Sequence, residues 1–275
     1  MQTYTRIGIV VPTVFEQIPL IEMLEQMTGK VAEVEELSIW RFYHVQLGEL
    51  HIAIIHCGPG MVNAAAATEA LIIHKQPEAI INYGIAGSHI HEALPGDIVI
   101  ATKVCAPFNG YLQNGGVLNS AFGIRWDVAR ERTAQRDTHR FPFLDCDLAL
   151  VGVAMQAAQA LIEQHMPVIV APPNTAVRPA RVYNGVISSA DTYCRDDATF
   201  ARIRETFGSL SEDMESAAVG QVAARHDLPF AIIRCLSNND MLEVLTLERK
   251  LVIYPEVARR SALVTAQLLQ LLSSQ

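Results

Sequence analysis

Short runs of β-branched and other apolar residues alternate with stretches of helical periodicity along most of this chain. That alternation restricts the fold more than any other feature, because it is the pattern of a mainly parallel sheet wrapped by helices. Arg6 to Val11 (RIGIVV) predicts a first strand, and Pro12-Thr13 turns the chain into a helix over 14–28. Ile39 to Leu47 and His51 to Cys57 alternate as a hairpin joined by Gly48-Glu49. Gly58-Pro59-Gly60 then opens an alanine-rich helix, Met61 to His74. Ala79 to Asn82 predicts a short buried strand ending in Gly84-Ile85-Ala86-Gly87, and Asp97 to Val104 another after the Pro95-Gly96 turn. Further on come a helix over Asp147 to Gln164, a strand over Arg181 to Ser188 and a helix over 196–206. A helix from Met214 to His226, a buried strand from Phe230 to Leu236 and an amphipathic helix from Pro255 to Leu272 complete the reading. Residues 106–145 hold no sustained period, and a stretch that long is expected to be a functional excursion or lid.

The expected architecture is therefore one α/β domain over residues 1–275, with a mixed, mostly parallel central sheet flanked by helices. Half the residues are hydrophobic and 18% are charged, which supplies a large core and argues against disorder. The formal charge of −8 argues against a nucleic-acid partner, since phosphate backbones need a basic surface. No apolar stretch is long enough to cross a bilayer, and the N-terminus lacks a secretory pattern, so a cytoplasmic location without membrane contact is expected. Five scattered cysteines without a CxxC pair read as reduced thiols. His89-Ile90-His91 is the only tight histidine pair, and nothing at a supporting spacing makes it a metal site. It is read as a solvated loop pair, and no metal is expected.

Ligands of open α/β sheets gather beyond the carboxyl ends of strands. Polar or glycine-rich groups fall there at Thr13–Glu16, Gly58–Gly60, Gly84–Gly87, Ser189–Asp191, Asp213–Glu215 and Ser237–Asp240. Each taken alone has an ordinary explanation as a turn or a helix cap. Their order along the chain is what carries information. RIGIV at 6–10 followed by Glu16, CGPGMVNAAAATEAL at 57–71, INYGIAGSHIHEALPGDIVIA at 81–101, GVISSADTYC at 185–194, SEDMESAAVGQVA at 211–223 and LPFAIIRCLSNND at 228–240 together resemble the nucleoside phosphorylase and nucleosidase family. Within it the chain is most similar to the methylthioadenosine/S-adenosylhomocysteine nucleosidases.

The resemblance implies a nucleoside phosphorylase-like fold and cleavage of the N-ribosidic bond of a purine nucleoside, without cofactor. It also implies a homodimer or larger homo-oligomer. It places Glu16 as the base that activates water, Met214 and Glu215 on the ribose, and Tyr193 and Cys194 at the purine. Gly60, Ala86, Gly87, Asp213 and Ser237 complete the expected binding set; Asp213 stands where most members carry glutamate. Phosphorolytic relatives carry a glycine-rich, arginine-bearing loop near Glu16, whereas this chain has Pro12-Thr13-Val14-Phe15-Glu16, which favours water. Gly58-Pro59-Gly60 remains a candidate site for an anion or a polarised water, though proline removes one donor, and Arg178 and Arg181 are the nominal cations for a phosphorylase.

The chain departs from the adenine-specific nucleosidases at one position. Asn238 stands where they carry the aspartate that protonates purine N7. An amide is no acid, but it donates from nitrogen and accepts at oxygen, which suits a 6-oxopurine. Asparagine also pairs with the N6/N7 edge of adenine, as in DNA readout. Asp240 replaces the missing acid only if its turn bends inward. A phosphorylase and a catalytically weak binding or storage protein are the alternative readings. Asn238→Asp is expected to shift cleavage toward adenine nucleosides, measured as relative kcat/KM on adenosine and inosine; an unchanged ratio would remove position 238 from base selection.

Overall fold

The computed structural model describes residues 3–112, 118–119, 123–128, 137–164, 166–169 and 177–274. Strand β1 (Arg6–Val11) and helix α1 (Val14–Thr28) follow the predicted boundaries. Next come β2 (Glu33–Leu37), the β3 (Trp40–Leu47) and β4 (Leu50–His56) hairpin, α2 (Met61–Lys75), β5 (Ala79–Ser88) and β6 (Ile98–Cys105). The 106–145 stretch contributes β7 (Tyr111–Leu112), β8 (Leu118–Asn119), β9 (Ile124–Val128), β10 (Asp137–Phe141) and β11 (Leu144–Asp145), and part of it lies outside the described residues. The chain continues through α3 (Leu148–Glu163), β12 (Val182–Ser189), α4 (Asp197–Phe207), β13 (Ser209–Asp213), α5 (Ser216–Arg225), β14 (Phe230–Asn238) and α6 (Leu247–Ser273).

Among the described residues ten strands form one mixed sheet, and part of it closes on itself: β5, β14, β6, β12 and β13 are hydrogen-bonded in a ring. β1, β4, β3 and β2 extend the sheet outward from β5. Helices α1 and α3 pack on α6, and α2 packs on α5, so two helical groups cover the sheet. The inner strands β1, β5 and β14 are deeply buried. All nine residues of β14 are buried, as expected of a strand covered on both faces.

Strand β5 organises the site. Ile81 and Asn82 pair in parallel with Ile9 and Val10 of β1, but beyond Asn82 the two strands part. β5 then runs on through Gly84–Gly87 and pairs at Gly87 and Ser88 with β13. The glycines expected as a turn are thus part of the strand. Gly84 explains why: a Cβ there would lie 2.6 Å from Glu16 Oε1, so the bare backbone admits the carboxylate. The gap left where β1 ends and β5 bends away opens at the carboxyl end of β1.

Other differences have local causes. β2 (EVEEL) is a charged, exposed edge strand paired only with β3, and its sequence carries no apolar alternation. β13 (SLSED) alternates, but its buried residues are Ser209, Ser211 and Asp213, all of them polar. α6 begins at Leu247, where the Thr246 side chain accepts from Arg249 N, and Pro255 lies inside the helix instead of at its start. His89 is buried, not solvated: its Nδ1 lies 3.0 Å from Ser209 Oγ and its ring meets Phe200 edge-on.

The Pro95-Gly96 turn into β6 is anchored by Asp97, which has no exposed surface. Its carboxylate accepts from Arg178 Nη1 and Nη2 at 2.8 and 2.6 Å, and from the backbone N–H groups of Leu94 and Arg181. Asp97→Ala strands a guanidinium and two amides, and is expected to destabilise the protein by about 3–5 kcal/mol in urea unfolding; a loss below about 1 kcal/mol would show the cluster to be dispensable.

Candidate active site

A cavity of about 250 Å³ occupies the gap between β1 and β5. Pro12, Thr13, Phe15 and Glu16 come from the end of β1 and the start of α1, and Ile85, Ala86 and Gly87 from the bent part of β5. Glu212 to Glu215 come from the end of β13, Ser237 and Asn238 from the end of β14, and Thr192, Tyr193, Tyr254 and Pro59 from the remaining walls. Glu16 and Glu215 therefore share one cleft, although 199 positions separate them in sequence. Among the described residues the lining contains four carboxylates, Glu16, Glu212, Asp213 and Glu215, and no Arg, Lys or His.

Glu16 is 1% exposed. The Thr13-x-x-Glu16 spacing is that of a capping box, yet Thr13 makes no side-chain cap bond. Its hydroxyl donates instead to Glu16 Oε2, while Ile85 N donates to Oε1 at 2.8 Å. The Tyr83 hydroxyl holds the Glu16 backbone carbonyl at 2.6 Å. Burial pushes the Glu16 carboxyl above its ordinary value of 4.5, and the hydrogen bonds from Thr13 and Ile85 and the nearby Arg234 charge only partly offset this. A fixed carboxylate with raised basicity is the form a general base takes.

Glu215 holds the N-cap position of α5 without a side-chain cap bond, and its Oε1 accepts instead from Gly60 N at 2.9 Å. Burial first, and then the Asp213 charge, pushes its carboxyl up, while Arg234 opposes. Asp213 lines the cavity, but its oxygens are engaged within the protein. Oδ1 accepts from Ser189 Oγ at 2.5 Å and from the N–H groups of Glu215 and Ser216; Oδ2 accepts from Ser216 Oγ and from Arg234 Nε at 2.8 Å. Arg234, with no exposed surface, also donates to Asn82 Oδ1 at 2.5 Å and lies 3.9 Å from Glu215 Oε2.

Of the residues expected at the site, Glu16, Ala86, Gly87, Tyr193, Asp213, Met214, Glu215, Ser237 and Asn238 line the cavity. Gly60 stands behind, its N–H committed to Glu215, and the next N–H, of Met61, is taken by Asp191 at 2.7 Å. The Gly60 N–H and the N–H that follows the Gly58-Pro59-Gly60 turn are thus taken by carboxylates of the protein, which corrects the turn's reading as an anion site. Cys194 is buried beside the cavity without lining it. Tyr193 is half exposed rather than a core residue, with Arg195 and Lys250 within 5.0 and 5.2 Å of its ring. Arg178 belongs to the Asp97 cluster and Arg181 is exposed; neither lines the cavity. Asp240 reaches the site only through Asn238, whose Nδ2 donates to Asp240 Oδ1 at 2.9 Å.

Sequence reasoning missed Glu212 and Tyr254 as parts of the lining. Glu212 sits in the acidic SEDME run, where nothing separates it from its neighbours, and Tyr254 was hidden by placing the start of α6 at Pro255. Cys57 lies near both catalytic candidates, but burial and the charges of Glu215 and Glu16 push its thiol up to about 12, so it stays protonated and is no nucleophile.

The phosphorylase superfamily profile matches residues 6–270. The chain belongs to this superfamily. A 5'-methylthioadenosine/S-adenosylhomocysteine nucleosidase of Bacillus thuringiensis (strain Al Hakam) is 31% identical over 208 residues, 75% of this chain and 76% of the relative. The enzyme of the same name from Bacillus anthracis shows equal identity and coverage. Among solved structures, the Neisseria meningitidis nucleosidase in complex with methylthio-immucillin-A superposes with a TM-score of 0.72 at 22% identity, covering 97% of this chain and 99% of that one. The futalosine hydrolase of Helicobacter pylori strain 26695 gives 0.72 at 19% identity, with 96% and 97% covered. These likenesses establish the superfamily fold, with its mixed sheet flanked by helices.

The raised Glu16 carboxyl yields a stability test. The folded state holds the Glu16 proton to higher pH than the unfolded chain, so stability falls as pH rises above 4.5 through the folded value. Glu16→Gln removes that penalty. Its melting temperature is expected to exceed wild type by about 2–4 °C per kcal/mol recovered at pH 8, with the gain shrinking toward pH 5; a gain independent of pH would contradict the raised carboxyl.

Proposed function

We propose that this protein hydrolyses the N-ribosidic bond of purine nucleosides. Breaking that bond builds positive charge on the ribose and negative charge on the departing purine. Glu16 takes a proton from water, the water oxygen attacks C1′, and the electron pair of the C1′–N9 bond leaves with the base. Glu215 accepts hydrogen bonds from the ribose hydroxyls and offsets the growing cation, and Met214 supplies an apolar wall beside the sugar. Tyr193 stacks on the purine, and Asn238 meets the departing base with an amide donor.

The observation that carries this reading is the charge of the cavity: four carboxylates and no cation among its described lining residues. Carboxylates suit a sugar that turns cationic and a neutral water nucleophile. They repel phosphate, and the two amides nearest the glycine turn already serve Glu215 and Asp191. Hydrolysis is accordingly favoured over phosphorolysis, in keeping with the nucleosidase names of the relatives. A homodimer or larger homo-oligomer belongs to the same reading, supported by exposed Val14, Ile18 and Ile39 along a groove between α1 and the β2–β3 pair. A cytoplasmic location fits the five unpaired cysteines.

Free base released from inosine, adenosine and methylthioadenosine, with and without inorganic phosphate, tests the proposal. Release is expected at a rate unaffected by phosphate, whereas phosphate dependence would establish a phosphorylase and no release a binding protein. Glu16→Gln is expected to lower kcat by about 10²–10⁴-fold, the worth of general acid–base catalysis. Glu215→Ala removes hydrogen bonds to a charged group and is expected to lower kcat/KM by about 10²–10⁴-fold; near-normal turnover in either variant would exclude that residue.

A further inference from the structure

We propose that Thr13 is a catalytic residue beside Glu16: its hydroxyl oxygen accepts one hydrogen of the attacking water while the Glu16 carboxylate takes the other. This rests on the reading of the cavity as a site of nucleoside hydrolysis and gives the water its second partner.

Thr13 holds the N-cap position of α1, where a threonine hydroxyl ordinarily accepts from a backbone N–H of the first turn. Here the Thr13 carbonyl has taken over that work. It accepts from Glu16 N at 3.2 Å and from Gln17 N at 3.0 Å, and the side chain makes no cap bond. The helix therefore starts without help from the hydroxyl. Thr13 lines the cavity instead, and its hydroxyl donates to Glu16 Oε2.

A hydroxyl has one hydrogen and two lone pairs, and an ionised carboxylate only accepts. With its hydrogen spent on Glu16, Thr13 has only lone pairs left to offer. Glu16 is held by Thr13 on one oxygen and by Ile85 N, at 2.8 Å, on the other, so the pair is fixed in place. Among the described lining residues that β1, α1, their connection and β5 supply, only Thr13 and Glu16 have polar side chains; Pro12, Phe15, Ile85 and Ala86 are apolar. Two acceptors on an otherwise apolar wall suit a small molecule with two donors, and water is that molecule.

In the reaction one water proton passes to Glu16, and the electron pair of that O–H bond stays on the oxygen as it bonds to C1′. The C1′–N9 pair leaves with the purine. The second hydrogen remains on the oxygen, bonded to Thr13, and becomes that of the anomeric hydroxyl. Holding both hydrogens turns an oxygen lone pair toward the sugar and lowers the orientational cost of attack. An alcohol has a single O–H. It satisfies Glu16 but not Thr13, and its alkyl group then meets the Thr13 oxygen. Thr13 is therefore the group that tells water from methanol.

The test takes the nucleoside that wild type cleaves fastest, in water and in water–methanol mixtures, and quantifies the free sugar and its methyl glycoside for wild type, Thr13→Val and Thr13→Ser. Valine keeps the shape of threonine and removes the acceptor. The ratio of methyl glycoside to free sugar is expected to rise by about 3–10-fold in Thr13→Val, the worth of one neutral hydrogen bond. Its kcat in water should fall by a similar factor with KM little changed, because the lost contact is to water and not to the nucleoside. Without the Thr13 donor, burial pushes the Glu16 carboxyl higher still, so the acid limb of kcat/KM should move to higher pH. Arg234, Glu215, Cys57 and Tyr83, which also interact electrostatically with Glu16, are untouched by these changes. Thr13→Ser keeps the hydroxyl and should return the product ratio and the acid limb toward wild type. Thr13→Ala carries the same expectations as Thr13→Val and guards against a valine variant that does not fold. Hydrolysis with an unchanged product ratio in Thr13→Val and Thr13→Ala, or with a change shared equally by Thr13→Ser, would overturn the role of Thr13 alone. A wild type that releases no sugar from any nucleoside would overturn the hydrolase reading and the water site with it.

Discussion

A guanidinium with no exposed surface, that of Arg234, sits among carboxylates that would otherwise repel one another. Three of the four acidic residues lining the cavity feel its charge: Asp213 through a 2.8 Å ion pair, Glu215 at 3.9 Å, and Glu16 through the field that lowers its proton affinity. A buried charge is costly unless its hydrogen bonds are complete, and here Asn82, Asp213 and the Ile233 carbonyl complete them. An arginine stays charged under any condition the fold survives, which a lysine in the same place would not ensure. Because β14 pairs with β5 at Arg234 and Gly84, the cation lies in register with the glycine that admits Glu16. The sheet register and the electrostatics of the cavity are one arrangement.

Much of this was legible in the sequence, for reasons that particular elements make plain. β1, α1, the β3–β4 hairpin and α2 have strong periodicity and clear turn residues, and they form where predicted. Glu16, Glu215 and Asn238 were legible because six ordered motifs resemble a known family, not because their spacing implied a cleft. What escaped was whatever depends on closure of the ring. β13 is a buried strand of serines and an aspartate, invisible to any rule that equates burial with hydrophobicity, and β5 hides its second half in glycines. Glu212 and Tyr254 follow from those two errors and from the early start of α6.

The cavity also shows how function strains a fold. Glu16 and Glu215 are both held in surroundings that favour their protonated forms, so the charged state on which the proposed reaction draws is disfavoured by the folded protein itself. The hydrogen bonds from Thr13, Ile85 and Gly60 return part of that loss and fix the direction of each carboxylate. Direction and basicity are thus set in part by the same neighbours, so a change at Thr13 alters both for Glu16.

The threefold pairing of β5 has a temporal side. Its neighbours are drawn from residues 6–11, 209–213 and 230–238, so the strand is synthesised early but completed only near the chain's end. A polypeptide still on the ribosome therefore holds the walls supplied by β1, α1 and β5 but lacks those facing them until β13, β14 and the first turns of α6 have emerged. Long-range closure of this kind slows folding, and it makes the reactive centre among the last things the molecule acquires. Any prematurely terminated product would lack not merely some activity but the enclosure in which activity takes place.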